Sequence, residues 1–120
     1  MSHLVQISTK VRDELAIAGA CRRLGLAMPR PGTATLFSGE CTGLLLQLPG
    51  WNYPAVLDLA TGTIAYDNFN GAWGEQEHLD RFLQAYAVEK AKLEARKKNF
   101  AVAETVLGDG SIQLSIREGG

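Results

Sequence analysis

Between residues 33 and 67 four short apolar runs follow one another, at 33–37, 44–48, 55–59 and 63–67, each cut off from the next by Gly, Pro or Asn. Runs of this length between turn formers read as strands. The last two are joined by Ala60, Thr61 and Gly62, a link short enough for a hairpin. A further strand is predicted at residues 2–9, where alternation puts His3, Val5, Ile7 and Thr9 on one face and Leu4, Gln6 and Ser8 on the other.

Two helices interrupt this strand-rich chain. Asp13 is placed to cap the first through its carboxylate, and Gly25 follows Leu24 as a left-handed stop. Within it Ile17, Ala20, Cys21 and Leu24 recur at the spacing of one apolar stripe, with Arg22 and Arg23 towards water. Pro29 and Pro31 then break the chain at residues 28–32. The second helix is predicted over residues 75–98, with Leu79, Phe82, Leu83, Tyr86 and Leu93 on one side. Acidic Glu75 and Glu77 begin it and Arg96, Lys97 and Lys98 end it, as the helix dipole prefers.

A final hairpin is expected over residues 101–117, its turn at Asp109-Gly110, where a type I′ turn needs two positive φ angles. A two-residue loop would align Ala103, Thr105 and Leu107 with Ile112, Leu114 and Ile116. Glu104, Gln113, Ser115 and Arg117 would then take the other face. The order β-α-β-β-β-α-β-β, with room for one extra central strand, defines an α+β class. An antiparallel sheet of about five to six strands with both helices on one face is expected.

With 120 residues, 46% of them hydrophobic, residues 1–120 make a single domain with one ordinary core. The net charge of −1 is too small to supply the electrostatic attraction that nucleic acid normally requires. No segment approaches the roughly 18 to 20 apolar residues of a membrane span, and the start lacks a signal-peptide run, so a cytoplasmic protein is expected. Cys21 and Cys41 show no zinc-type spacing and are expected to be reduced thiols.

Several short pieces, taken together, resemble a known family. They are Met1-Ser2-His3, Ile7 and Thr9, Arg12-Asp13, Leu24-Gly25, Tyr86-Ala87, Phe100 and Asp109-Gly110-Ser111-Ile112. In order and spacing they are similar to the hypothetical chloroplast reading frame thirty-five family, a domain of unknown function from plastids, cyanobacteria and other bacteria. The resemblance implies a small α+β protein with no established enzymatic activity. Bacterial members often lie beside an AAA-type ATPase and a ferredoxin-like protein. An adaptor in an ATP-driven assembly is the expectation that follows.

Reactive residue types are present but weakly arranged. Met1-Ser2-His3 would chelate copper or nickel only with the initiator methionine retained. On the face of Val5 and Ile7, His3 is expected as a neutral packed imidazole or a strand-edge one. Arg12 is expected to pair with a nearby acid. His78, Glu75 and Glu77 read as a solvated helix start, because His78 has no partner at i+4. Cys41, in the loop-like segment GECTG, is the more reactive of the two thiols. No phosphate-binding loop, GxSxG or HExxH motif occurs, and no cofactor, metal or catalytic residue is expected.

Two segments rich in turn formers, residues 48–54 and 68–74, carry Trp51, Tyr53, Phe69 and Trp73. Stacking on bases or a sugar, an interface with protein, and packing at the core edge are the three readings of such loops. The expected function is protein binding within a larger assembly, and a homo-oligomer is compatible with it. An alternative places ligand binding or catalysis in a pocket shared by His3, Asp67 and Tyr86. A third, nucleic-acid binding, requires the basic cluster Arg96 to Lys98 beside the aromatic loops.

Overall fold

A computed structural model describes residues 4–118. The elements are β1 (Val5–Ser8), α1 (Glu14–Leu24), β2 (Arg30–Leu36), β3 (Gly39–Leu46), β4 (Ala55–Asp58), β5 (Thr63–Tyr66), a 3-10 turn (Phe69–Gly71), α2 (Gln76–Lys97), β6 (Phe100–Val106) and β7 (Ile112–Glu118). The first five strands form an antiparallel sheet in the order β1-β5-β4-β3-β2, and β6 and β7 pair separately. This is the expected α+β class. The C-terminal hairpin makes a small sheet of its own.

Both ends of α1 follow from local chemistry. Asp13 Oδ1 accepts from the amides of Leu15 (2.9 Å) and Ala16 (3.3 Å), donors that the first helical turn otherwise leaves unpaired. Gly25, at φ 69°, closes the helix while the amide of Leu26 donates to the carbonyl of Cys21 at 2.8 Å. That pairing requires a left-handed residue, and glycine adopts the conformation without a Cβ penalty.

The two helices share one sheet face. Ala16, Ile17, Ala20 and Cys21 of α1 and Leu79, Phe82, Ala85 and Tyr86 of α2 pack with Leu46, Ala55, Leu57, Ile64 and Tyr66. Each large aliphatic or aromatic side chain fully buried there contributes about 1.5–3 kcal/mol. Alternation sends the intervening residues to the opposite face. There Ala34, Leu36, Val56 and Ala65 form a second core, with Leu4, Cys41, Leu45 and Tyr53 against it.

No helix covers that second core; the β2–β3 hairpin does. β4 pairs only with Leu44 to Leu46 of β3, whereas the β2–β3 ladder continues outward to Leu36 and Gly39. The tip at Phe37-Ser38 nevertheless returns to the far end of the sheet, where Ser38 Oγ donates to Asp67 at 3.2 Å. The hairpin is therefore curled across the sheet. The cross-strand pair Gly32 and Gly43 lies at the bend. Here the backbones approach so closely that a side chain on Gly43 would overlap β4.

This curl corrects two expectations. The strands at 33–37 and 44–48 are longer and shifted, and GECTG, read as a loop, forms the start of β3. Cys41 is accordingly a half-buried strand residue against the second core. Its setting is no flexible loop. Glycines at 39 and 43 suggested a break in the sequence. In the fold they serve a tight hairpin tip and a close strand crossing.

The last hairpin also differs in register. Val106 pairs with Ile112, Glu104 with Leu114 and Val102 with Ile116, one residue away from the expected alignment. The loop has three residues, Gly108, Asp109 and Gly110, closed by the amide of Leu107 on the carbonyl of Ser111, and of the three only Gly110 has a positive φ (86°). Shifting by one residue reverses a strand's faces. Glu104 therefore joins Ile112, Leu114 and Ile116, and reaches Arg23 and Lys92 at 2.7 Å each. These ion pairs fasten the hairpin to both helices.

Candidate functional site

Beyond β5 the chain enters a tight corner. Asn68, 5% exposed, accepts at its carbonyl from the amides of Gly71 (3.0 Å) and Trp73 (2.9 Å), and its side-chain nitrogen donates to the carbonyl of Gly74 at 3.3 Å. Held this way, Phe69 (φ 46°) and Asn70 (φ 53°) take left-handed conformations. For phenylalanine that conformation is costly, on the order of 1–2 kcal/mol, and it persists because the surrounding bonds over-determine it. Its effect is to turn the Phe69 ring onto Trp73.

Trp73 is the hub of an aromatic cluster. Phe69 stacks on it at 4.8 Å between centroids, Phe37 meets it at 5.0 Å and Tyr53 approaches edge-on at 5.7 Å. Phe37 is 59% and Phe69 39% exposed, so the cluster opens to solvent on the side of the hairpin tip. Under this tip lies Asp67, fully buried, with Oδ2 accepting from Ser38 and Oδ1 without a hydrogen-bond partner among the described residues.

The expected interface residues thus divide. Tyr53, Phe69 and Trp73 share the cluster. Trp51 does not: it is 5% exposed, lies 5.6 Å from the Tyr66 ring and donates from Nε1 to the Glu75 carbonyl at 3.0 Å. It belongs to the main core. Phe37, in contrast, was legible only as the end of a strand. Its place beside Trp73 depends on the curl of the β2–β3 hairpin.

Of the alternative pocket residues, Tyr86 and Asp67 are set apart. Tyr86 sits on α2 with its hydroxyl saturated: it accepts from the amides of Arg12 and Asp13 and donates to the carbonyl of Lys10, each at 3.1 Å. These contacts lie beyond the Ser8–Thr63 end of the β1–β5 ladder, whereas Asp67 follows Tyr66 at the other end. Four residues of strand separate the two ends, roughly 13 Å. Tyr86 splints the β1–α1 connection. His3 lies outside the described residues.

Other candidates take structural places. Arg12 donates from Nη2 to the carbonyl of Thr61 at 3.0 Å, in place of the acid expected for it. Cys21 is fully buried, and desolvation raises its thiol pKa, which opposes thiolate chemistry. Among the described residues no group of three or more His, Cys, Asp or Glu could hold a metal ion. Arg96 to Lys98 lie at the end of α2 opposite to the aromatic corner, roughly 30 Å along a helix of 22 residues. The juxtaposition required for nucleic-acid binding is therefore missing. No helix of the described residues is long and apolar enough to cross a membrane.

The fold and site together define a class: an antiparallel α+β domain bearing a partly exposed aromatic corner over a buried carboxylate. No family model, curated protein or solved structure matches the chain. Its function has to be argued from the corner itself.

Proposed function

We propose that this chain is a small protein-binding domain, an adaptor without catalysis of its own, that docks through the aromatic corner at Trp73. The observation behind this reading is the exposure of Phe37 and Phe69, both in ring contact with Trp73. The exposed parts of grouped aromatic rings gain by being covered, and at an interface they supply rigid anchors. The strained Phe69-Asn70 backbone supports the same reading, since strain of this kind is retained where a ring must be presented in one orientation.

The family resemblance supplies the first partners to try, an AAA-type ATPase and a ferredoxin-like protein, in a cytoplasmic assembly. Purified candidates would be tested by binding titration against the native chain, Trp73→Ala and Trp51→Ala. Loss of binding in Trp73→Ala with the fold retained is the expected result. Undiminished binding by a folded Trp73→Ala variant would move the interface elsewhere.

A further inference from the structure

We propose that the outer edge of β7 is a self-association surface, joining two copies of this chain strand to strand into a four-stranded sheet in the order β6-β7-β7-β6. The C-terminal sheet has two strands, so each of them is an edge. The phase of their ladder shows which backbone groups β7 turns outward. The amide of Leu107 donates to the carbonyl of Ser111 at 2.8 Å, and Val106 pairs with Ile112. Alternation then directs the amides and carbonyls of Gln113, Ser115 and Arg117 at β6, and those of Ile112, Leu114, Ile116 and Glu118 away from it. No strand among the described residues pairs with this outward set.

Strand edges are normally blunted by shortness or by proline. The edges of the large sheet follow this rule: β1 has four residues, and β2 carries Pro31, which has no amide to offer. β7 runs for seven residues with neither device. It also overhangs the helices. α2 lies against β6 more than against β7, and Ile116, on the helix-facing side of the hairpin, is 49% exposed. A two-stranded sheet is marginally stable by itself, and further strands are what it lacks.

A second copy fits this edge in register. Antiparallel pairing about a two-fold axis at Ser115 engages the whole strand: Leu114 opposes Ile116 of the second copy, and Ile112 opposes the exposed Glu118. These are outward residues on both sides, so their amides and carbonyls bond in pairs. Leu114 and Ile116 then cover one another on the helix-facing side. On the wet side Gln113 meets Arg117, whose guanidinium has no ion pair among the described residues and can donate to the Gln113 side-chain carbonyl. No like charges are opposed. β6 lacks this self-complementarity, because the same operation about Ala103 would set the Glu104 carboxylate, already held by Arg23 and Lys92, against Val102 in the middle of the strand. The two-fold contact through β7 is closed, and two copies complete it.

The test measures the mass of the intact protein by sedimentation equilibrium, from low micromolar to near-millimolar concentration. A monomer–dimer equilibrium is expected. Gln113→Glu places a carboxylate opposite Arg117 at two symmetric positions and should tighten the dimer by roughly threefold or more, whereas Gln113→Lys opposes like charges and should weaken it by a similar factor. Gln113 is exposed, so the circular dichroism spectrum of both variants should match that of the native chain. Ser115→Cys tests the axis itself. Its two thiols would face each other across a non-hydrogen-bonded pair, with Cα atoms about 4.5 Å apart, within reach of a disulfide. Oxidised glutathione should convert this variant to a covalent dimer. In Gln113→Cys the two thiols stand about 13 Å apart in this register, and that variant should stay uncrosslinked, as should the native chain with Cys21 and Cys41. A monomer at every concentration, equal effects of the two charge variants, or crosslinking as fast in Gln113→Cys as in Ser115→Cys would overturn the inference. So would a dimer that ignores both charge variants and is lost in Trp73→Ala, which would move self-association to the aromatic corner.

Discussion

Gly43 of β3 lies so close to β4 that a Cβ on it would stand 2.6 Å from the carbonyl oxygen of Leu57 and 2.9 Å from a methyl carbon of Val56. That approach permits the β2–β3 hairpin to curl over the second core and bring Phe37 to Trp73. A Gly43→Ala variant must push β3 away from backbone atoms that cannot yield cheaply. The expected loss is about 1–3 kcal/mol in urea unfolding. The aromatic corner should loosen with it, seen as a shift of the Trp73 indole signal. Gly19→Ala makes the comparison: there the three atoms nearest the new methyl all belong to the Glu89 side chain, the first at 2.8 Å, with no backbone among them, and helix propensity favours alanine. It should be neutral or stabilising.

The two tryptophans should respond in opposite ways. Trp51→Ala deletes a buried ring and its bond to the Glu75 carbonyl, and should lower stability by about 3–5 kcal/mol. Trp73→Ala removes a half-buried ring at the surface and should cost the free domain less, while costing about 2 kcal/mol or more of partner binding. Thermal unfolding and binding isotherms on both variants check this. Equal stability losses with binding intact would place Trp73 in the core edge with Trp51.

Tyr86→Phe retains the ring and removes the hydroxyl to which the Arg12 and Asp13 amides donate. Leaving partly buried donors unpaired should cost about 1–3 kcal/mol. The effect should be structural, with faster hydrogen exchange at residues 10–13 and partner binding unchanged. Loss of an activity in a folded variant would revive a functional role for this tyrosine.

Asp13 should make stability fall in acid. Its hydrogen bond from Lys90 is the largest influence holding its pKa below the ordinary 3.8, helped by the capped amides and opposed by desolvation. A carboxyl whose folded pKa is depressed adds stability that is present above the unfolded value and is lost as pH falls through the folded one. Asp13→Asn should therefore flatten this part of the acid limb, below about pH 4, while retaining a cap. At neutral pH it should cost no more than about 1 kcal/mol, as expected for a partly exposed ion pair. Asp13→Ala loses the cap as well and should cost about 1 kcal/mol more. Unfolding midpoints from pH 2 to pH 7 on the three proteins give the comparison.

What the sequence alone determined is what depends on neighbours in the chain. Asp13 and Gly25 bound α1 as their side-chain and backbone chemistry requires, the apolar spacing of Leu79, Phe82 and Tyr86 gave α2 its buried face, and the apolar runs at 55–59 and 63–67 marked two strands, although the one core expected became two on opposite sheet faces. The tertiary structure decided what depends on distant approach. GECTG looked like a loop because glycine is ambiguous locally: the same residue serves a turn or a close strand crossing, and only the position of Leu57 selects the second. The final hairpin slipped by one residue because Gly108-Asp109-Gly110 can close as two residues or three, and the choice moves Glu104 towards Arg23 and Lys92. Trp51 and Trp73 stand in similar loops, and their separate fates follow from what lies opposite each, the helix-covered core for one and the curled hairpin tip for the other. Tyr86 and Asp67 could be named as polar residues worth watching, but the length of β5 keeps them apart, and that separation is a property of the folded sheet.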